Sequence, residues 1–227
     1  MRTIKRLNRL RYYFVSATSI LLLAVIFNFS FSKTNGFLIF NQFHPTWLDI
    51  FFKYFTNLGD GLISILAAIA LLLFQKRKKA MTVALAYIYS GLLVQLMKRI
   101  FHLPRPKYFF EQTLFHYTHF IEGLSTHNQN SFPSGHTASA FALATALVMI
   151  FKKKQISFYC LFLALSVGYS RIYLAQHFLV DVIFGAITGI ICAIISYHQV
   201  YDLKIFKSAQ IRKRYQQLKM ANHHNSR

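Results

Sequence analysis

The chain has 227 residues, 55% of them hydrophobic, 17% aromatic and only 14% charged. Soluble domains carry about 25% charged residues, so this composition excludes an ordinary water-soluble protein and points to a membrane. A formal net charge of +20 would direct attention to nucleic acid in a soluble domain, but the placement of the charges along the chain argues against that partner.

Arg2, Lys5, Arg6, Arg9 and Arg11 precede residues 12–31, which carry no charge and are long enough to span a bilayer. The run is longer than a signal-peptide core and lacks a clear small-residue cleavage site, so it reads as an uncleaved first helix with its basic end in the cytoplasm. Residues 32–60 are mixed, with Pro45, Trp47 and many phenylalanines. They lie either partly in the headgroup layer or in a loop with a short helix. Residues 61–75 are uncharged but short for a span, and adding 56–60 lengthens them with Asp60 at the boundary.

Lys76, Arg77, Lys78 and Lys79 end that run, residues 80–97 form a third span, and Lys98 closes it. Residues 99–133 read as a polar loop with Pro104, Pro106 and the two glutamates of the chain, Glu111 and Glu122. Loops this long are often functional. Pro133, Ser134, Gly135 and His136 open a fourth apolar run that continues to Phe151 and stops at Lys152, Lys153 and Lys154. Residues 155–170 and 182–201 are the fifth and sixth runs. Cys160 and Cys192 each sit inside an apolar stretch and read as small buried hydrophobes, with no Cys/His spacing for zinc. The basic tail from Asp202 reads as a short helix and then disorder from about Asn222.

The fold class expected is therefore all-α: a polytopic membrane protein, a six-transmembrane-helix bundle over residues 1–203 with a basic cytoplasmic tail over 204–227. Nineteen of the 26 Lys and Arg fall in the segments that six spans would place on the inner side: 1–11, 76–79, 152–154 and 202–227. The positive-inside rule thus supports six spans with both termini cytoplasmic. It explains the net charge by topology and lipid headgroups, without nucleic acid.

The same topology brings three polar clusters to the outer boundary. Lys98 and Arg105 follow span three, Ser134, Gly135 and His136 precede span four, and Arg171, His177 and Asp181 lie between spans five and six. Taken singly each has an ordinary reading: a snorkelling span end, a loop arginine, a turn with a helix cap, a salt-bridged histidine. Together, three cations, two histidines and one carboxylate make an anion site with acid–base groups. The cations suit a phosphate. Gly135 lets the backbone approach an anion at a helix start, and Ser134 adds a hydrogen bond. One histidine can attack while the other protonates the leaving oxygen. His177 and Asp181 are four apart, which on a helix puts them on one face, and a carboxylate at one imidazole nitrogen makes the other more basic. His44, His102, His116, His119, His127 and His198 read as solvated or structural.

Lys98 with Arg105 and Pro106, then Pro133 to His136, then Ser170 and Arg171 with His177 and Asp181, resembles the three-part signature of the type 2 phosphatidic acid phosphatases (PAP2) in residue type, order and spacing across 98–181. The resemblance implies an integral-membrane, metal-independent phosphatase with no cofactor, acting on a lipid phosphate or pyrophosphate at the outer face. It implies His177 as nucleophile, forming a phosphohistidine, and Asp181 as its orienter. His136 would be general acid and then base, with Lys98, Arg105, Arg171, Ser134 and the Gly135 amide binding phosphate. If the chain is bacterial, the expected location is the inner membrane with the site on the periplasmic side. The expected substrates are then undecaprenyl pyrophosphate or a glycerophospholipid (phosphatidylglycerophosphate or phosphatidic acid), with lipid A 1-phosphate as the alternative. A transporter or a non-catalytic phospholipid-binding protein explains the cations but not the His177–Asp181–His136 set.

Overall fold

The computed structural model describes residues 2–113, 117, 119–121 and 128–202, with side chains from residue 10. Among these the elements are helical: α1 (Arg2–Ser30), α2 (Lys33–Phe40), α3 (Thr46–Phe55) with a 3-10 turn (Thr56–Gly59), α4 (Gly61–Leu73), α5 (Arg77–Phe101), α6 (Pro106–Glu111), α7 (Gly135–Phe151), α8 (Lys154–Tyr173) and α9 (Leu179–Tyr201). The chain is an integral membrane protein. α1, α5, α8 and α9 are each long and apolar enough to cross a bilayer. Their outward faces carry exposed Leu23, Phe29, Leu92, Ile100, Phe158 and Ile195, a surface that suits lipid and not water.

α7 is the axis of the bundle. It packs against α9, α8 and α5, and alanines at 138, 140, 142, 144 and 146 are all buried. Small residues let helices approach closely in lipid. Gly185 and Gly189 of α9 do the same from the other side: a Cβ at Gly185 would lie 2.6 Å from the Ser134 carbonyl oxygen, and one at Gly189 would lie 2.4 Å from that of Ala138. Polar links tie further helices to this core. Tyr13 and Thr145 hydroxyls meet at 2.8 Å, Ser196 donates to the Thr82 carbonyl at 2.6 Å, and Tyr89 donates to Gln199 Oε1 at 2.6 Å.

Three expectations are refined. The mixed stretch 32–60 is not a loop with one helix but α2, α3 and a 3-10 turn. The second apolar run does not extend straight back through 56–60. Asp60 is extended (φ −66°, ψ 142°) and its carboxylate accepts the Leu62 N–H at 3.1 Å, capping α4. The chain therefore bends by 51° between Thr46–Gly59 and Gly61–Leu73. Within 99–133, Pro106 starts α6 at a position where its missing N–H costs nothing, and the buried Phe110 packs on Phe37 and Phe178. The tail and the 203/204 boundary lie outside the described residues.

Candidate active site

The three clusters meet at one end of the bundle, each held by a helix terminus. Lys98 is in the last turn of α5. Past a left-handed His102 (φ 41°) the chain turns back, and Arg105 precedes α6. Ser134 caps α7, its Oγ accepting from Thr137 Oγ1 at 2.8 Å, so Gly135 and His136 open that helix with its N–H groups facing the site. The third cluster rests on the end of α8. Gln176 N–H returns to the Arg171 carbonyl at 3.0 Å and Ala175 N–H to that of Ile172 at 2.9 Å, with Ala175 left-handed at φ 51°. This is a Schellman ending with alanine where glycine is usual. The Arg171 carbonyl also accepts the His177 N–H at 3.1 Å, which folds His177 back over Arg171.

His177 and Asp181 come together, but not on one helical face as their spacing implies. His177 precedes α9, and Asp181 is in its first turn. The carboxylate turns back to accept the Phe178 N–H at 3.0 Å, a capping arrangement, and Oδ2 lies 3.5 Å from His177 Nδ1. Sequence reasoning missed a further partner. The fully buried Ser131 donates from Oγ to Asp181 Oδ2 and lies 3.4 Å from His177 Nδ1. Its own N–H bonds the Leu103 carbonyl at 2.9 Å. The Asp181 carbonyl accepts the Ser134 N–H at 2.9 Å, so the second and third clusters share a backbone bond.

Arg105 and Arg171 are buried, Lys98 is half-buried, and the three interact. Lys98 lies within electrostatic reach of Arg105, Arg171 and Asp181, and His136 within reach of Arg171, Lys98 and Arg105. Two more residues absent from the sequence reading orient them. Arg171 donates from Nη1 to Thr56 Oγ1 at 2.8 Å, and Arg105 from Nη1 to Gln176 Oε1 at 2.7 Å. Arg105 Nε, Arg171 Nε and Gln176 Nε2 are buried without a protein acceptor among the described residues. Buried donors of this kind require partners, and an anion with several acceptor oxygens supplies them. Gly59 abuts His136: a Cβ there would lie 2.9 Å from the His136 carbonyl oxygen and 2.6 Å from Val167 Cγ1. Burial drives the His177 pKa well below that of a free imidazole, with Arg171 and Arg105 acting the same way and the Asp181 hydrogen bond and charge opposing. The ring is thus held neutral, with Nδ1 facing the carboxylate and Nε2 left to act.

Of the histidines read as bland, His44 and His119 converge on Asp49 and His198 pairs with Asp202. His116 and His127 lie outside the described residues.

The profile of the PAP2 superfamily matches residues 79–205. Among similar proteins, a lipid A 1-phosphatase of Rhizobium etli is 31% identical over 102 residues, 45% of this chain and 42% of that protein. The chain thus spans about two-fifths of the length of that relative. A lipid A 4'-phosphatase of Porphyromonas gingivalis is 28% identical over 180 residues, 77% of this chain and 73% of the relative. The crystal structure of LpxE from Aquifex aeolicus superposes with a TM-score of 0.62 at 37% identity, covering 70% of this chain and 91% of that one.

Proposed function

We propose that this chain, which belongs to the PAP2 superfamily, is a lipid phosphatase that works through a phosphohistidine on His177. The observation that carries the reading is the meeting of three cations, two of them buried, with a carboxylate-backed imidazole at one end of an apolar bundle. Lys98, Arg105 and Arg171 hold the phosphate oxygens, with the Gly135 N–H and Ser134 at the start of α7. His177 Nε2 attacks phosphorus, and the P–O bond to the lipid breaks. His136 gives its proton to the departing alkoxide or phosphate. His136 then takes a proton from water, whose oxygen attacks the phosphohistidine, and inorganic phosphate leaves with His177 neutral again. Asp181 holds the His177 tautomer and stabilises the charge that develops on the ring. The cations perform the charge neutralisation that a metal ion performs elsewhere, so no step is routed through a metal.

The substrate is a phosphorylated lipid in the bilayer. In this reading a sugar-linked lipid A phosphate ranks ahead of undecaprenyl pyrophosphate, phosphatidylglycerophosphate and phosphatidic acid, a ranking that similarity to proteins named as lipid A 1- and 4'-phosphatases supports. The charge distribution supports six spans, α3 with α4 and the 17-residue α7 completing the four long helices. It also supports a site on the outer, periplasmic side, and the bacterial relatives support a bacterial inner membrane as its location. The test is phosphate release from these lipids by purified protein and by His177→Ala, with EDTA and no added metal. Release by wild type that vanishes in the mutant is expected. Persistent release by a folded His177→Ala, or a strict metal requirement, would overturn the mechanism.

A further inference from the structure

A second constellation stands apart from the phosphate cradle. Asp49 of α3 offers Oδ1 to His44 Nδ1 at 3.3 Å and Oδ2 to His119 Nε2 at 3.0 Å. One ligand atom from each of the three residues lies within 4.8 Å of the others. Zinc held by bonds of about 2.0–2.1 Å sets its tetrahedral ligand atoms roughly 3.3 Å apart; the two nitrogens here face different oxygens of one carboxylate, so an ion would draw the three side chains slightly together.

The hydrogen bonds around the cluster hold it in place. Asn41 Nδ2 donates to the carbonyls of Phe37 at 3.1 Å and Ile172 at 3.3 Å, and its Oδ1 accepts the Tyr117 hydroxyl at 3.3 Å. The Tyr117 oxygen also lies 3.1 Å from His44 Nε2, which leaves Nδ1 facing Asp49. Asp49 Oδ1 accepts from Tyr173 at 2.5 Å, and the His119 ring lies 4.1 Å from that of His44 and reaches the same carboxylate. Without a metal, each neutral ring can donate one N–H to the carboxylate. A divalent cation would replace those two protons and take both nitrogens as neutral lone-pair donors, with Tyr117 orienting the His44 ring as hydrogen-bond partners of ligating histidines do.

We propose that His44, Asp49 and His119 bind a divalent cation of the zinc class, with a fourth position open to solvent. Two nitrogens and one carboxylate oxygen are a known zinc donor set and a poor one for magnesium or calcium, which take oxygen ligands. The ion joins the α2–α3 connection, α3 and His119, and Tyr173 connects it to the end of α8 two residues beyond Arg171. It takes no part in the phosphoryl chemistry.

The experiment uses the full-length chain in detergent, stripped with a chelator and titrated with Zn²⁺ against a competing dye, and with Co²⁺ followed by its visible absorption. Expected are one equivalent per chain, an intense Co²⁺ spectrum of four-coordinate type, and a thermal midpoint that rises with Zn²⁺. His44→Ala, Asp49→Asn and His119→Gln each weaken binding at least tenfold, and His177→Ala leaves it unchanged. His119 is exposed, so His119→Gln tests the site without endangering the fold. No stoichiometric binding by wild type, or binding unchanged in both His44→Ala and His119→Gln, overturns the proposal. So does Zn²⁺ binding lost only in His177→Ala. Phosphate release that survives chelation, while Zn²⁺ binding is lost in His119→Gln, separates this site from the catalytic one.

Discussion

At Asp181 a single carboxylate oxygen serves three neighbours: the Phe178 N–H, the Ser131 hydroxyl and His177 Nδ1. Asp181→Asn replaces an acceptor by a group that can also donate. It therefore turns the imidazole to the wrong tautomer while leaving its volume in place, and kcat is expected to fall by about 10²-fold or more with KM little changed. An equal loss in both parameters, measured by steady-state phosphate release, would remove Asp181 from the role of orienter. Ser131 acts through Asp181. A hydrogen bond to a charged group is worth about 1.5–3 kcal/mol, so Ser131→Ala is expected to lower kcat by roughly tenfold or more, again with KM unmoved, and Ser131→Thr to restore part of it. A parallel fall in KM affinity would mark Ser131 as merely structural. His177 also leaves a mark on stability. Its folded pKa lies below that of the unfolded chain, near 6.5. Above about that pH both states are neutral and the contribution is complete. As pH falls below it, the unfolded chain takes a proton that the folded chain refuses, and stability is lost. The thermal midpoint of wild type should therefore drop more between about pH 7 and pH 5 than that of His177→Gln. Parallel curves would show that the ring is not held neutral.

At the scale of the helix, the site is built from ends and from missing side chains. Gly59 closes the 3-10 turn after α3 directly against His136, where an added Cβ would stand 2.9 Å from a carbonyl oxygen. Backbone cannot yield as a side-chain tip can, so Gly59→Ala shifts the start of α7 and with it the leaving-group acid. A loss of kcat of tenfold or more is expected in a protein that still purifies as a single species, and unaltered kcat would show that α7 tolerates the shift. The same stretch shows what the sequence can and cannot say. Apolar run lengths and the lysine clusters make the main helices legible, because both follow from the bilayer itself. Lys98, Arg105, His136, Arg171, His177 and Asp181 are legible because charged and titratable side chains are costly beside apolar spans, and Ser134 and Gly135 because they sit in the Pro133 to His136 run that opens the fourth apolar stretch. Ser131, Thr56, Gly59 and Gln176 are ordinary by type. They matter only because segments 50 residues apart (Ser131 and Asp181) or 115 apart (Thr56 and Arg171) fold into contact. The bend at Asp60 is a capping event that composition averages conceal. The convergence of His44, Asp49 and His119 is hidden for the same reason, two of its members being 70 residues apart.

For the molecule as a whole, charge and chemistry must agree on a direction across the membrane. Lysine clusters at 76–79 and 152–154 lie at one pair of helix ends, and the cradle lies at the other ends of α5, α7 and α8. Because α5 starts at Arg77 with Lys98 in its last turn, and α8 starts at Lys154 with Arg171 in its last turn, each helix carries a basic cluster at its start and a phosphate-binding cation at its end. A positive-inside orientation then leaves the cradle outside. Substrate would reach it from the outer leaflet, with its acyl chains remaining between the helices. Cysteine accessibility tests this directly. With Cys160 and Cys192 replaced by alanine, Gln129→Cys and Lys153→Cys report on opposite ends, both positions being exposed. In intact cells a membrane-impermeant maleimide is expected to label Gln129→Cys at once, and Lys153→Cys only after permeabilisation. The reverse pattern would place the cradle in the cytoplasm and restrict substrates to lipids of the inner leaflet. Labelling of both positions in intact cells would break the six-span count, since α7, the one helix between them, would then not cross the membrane.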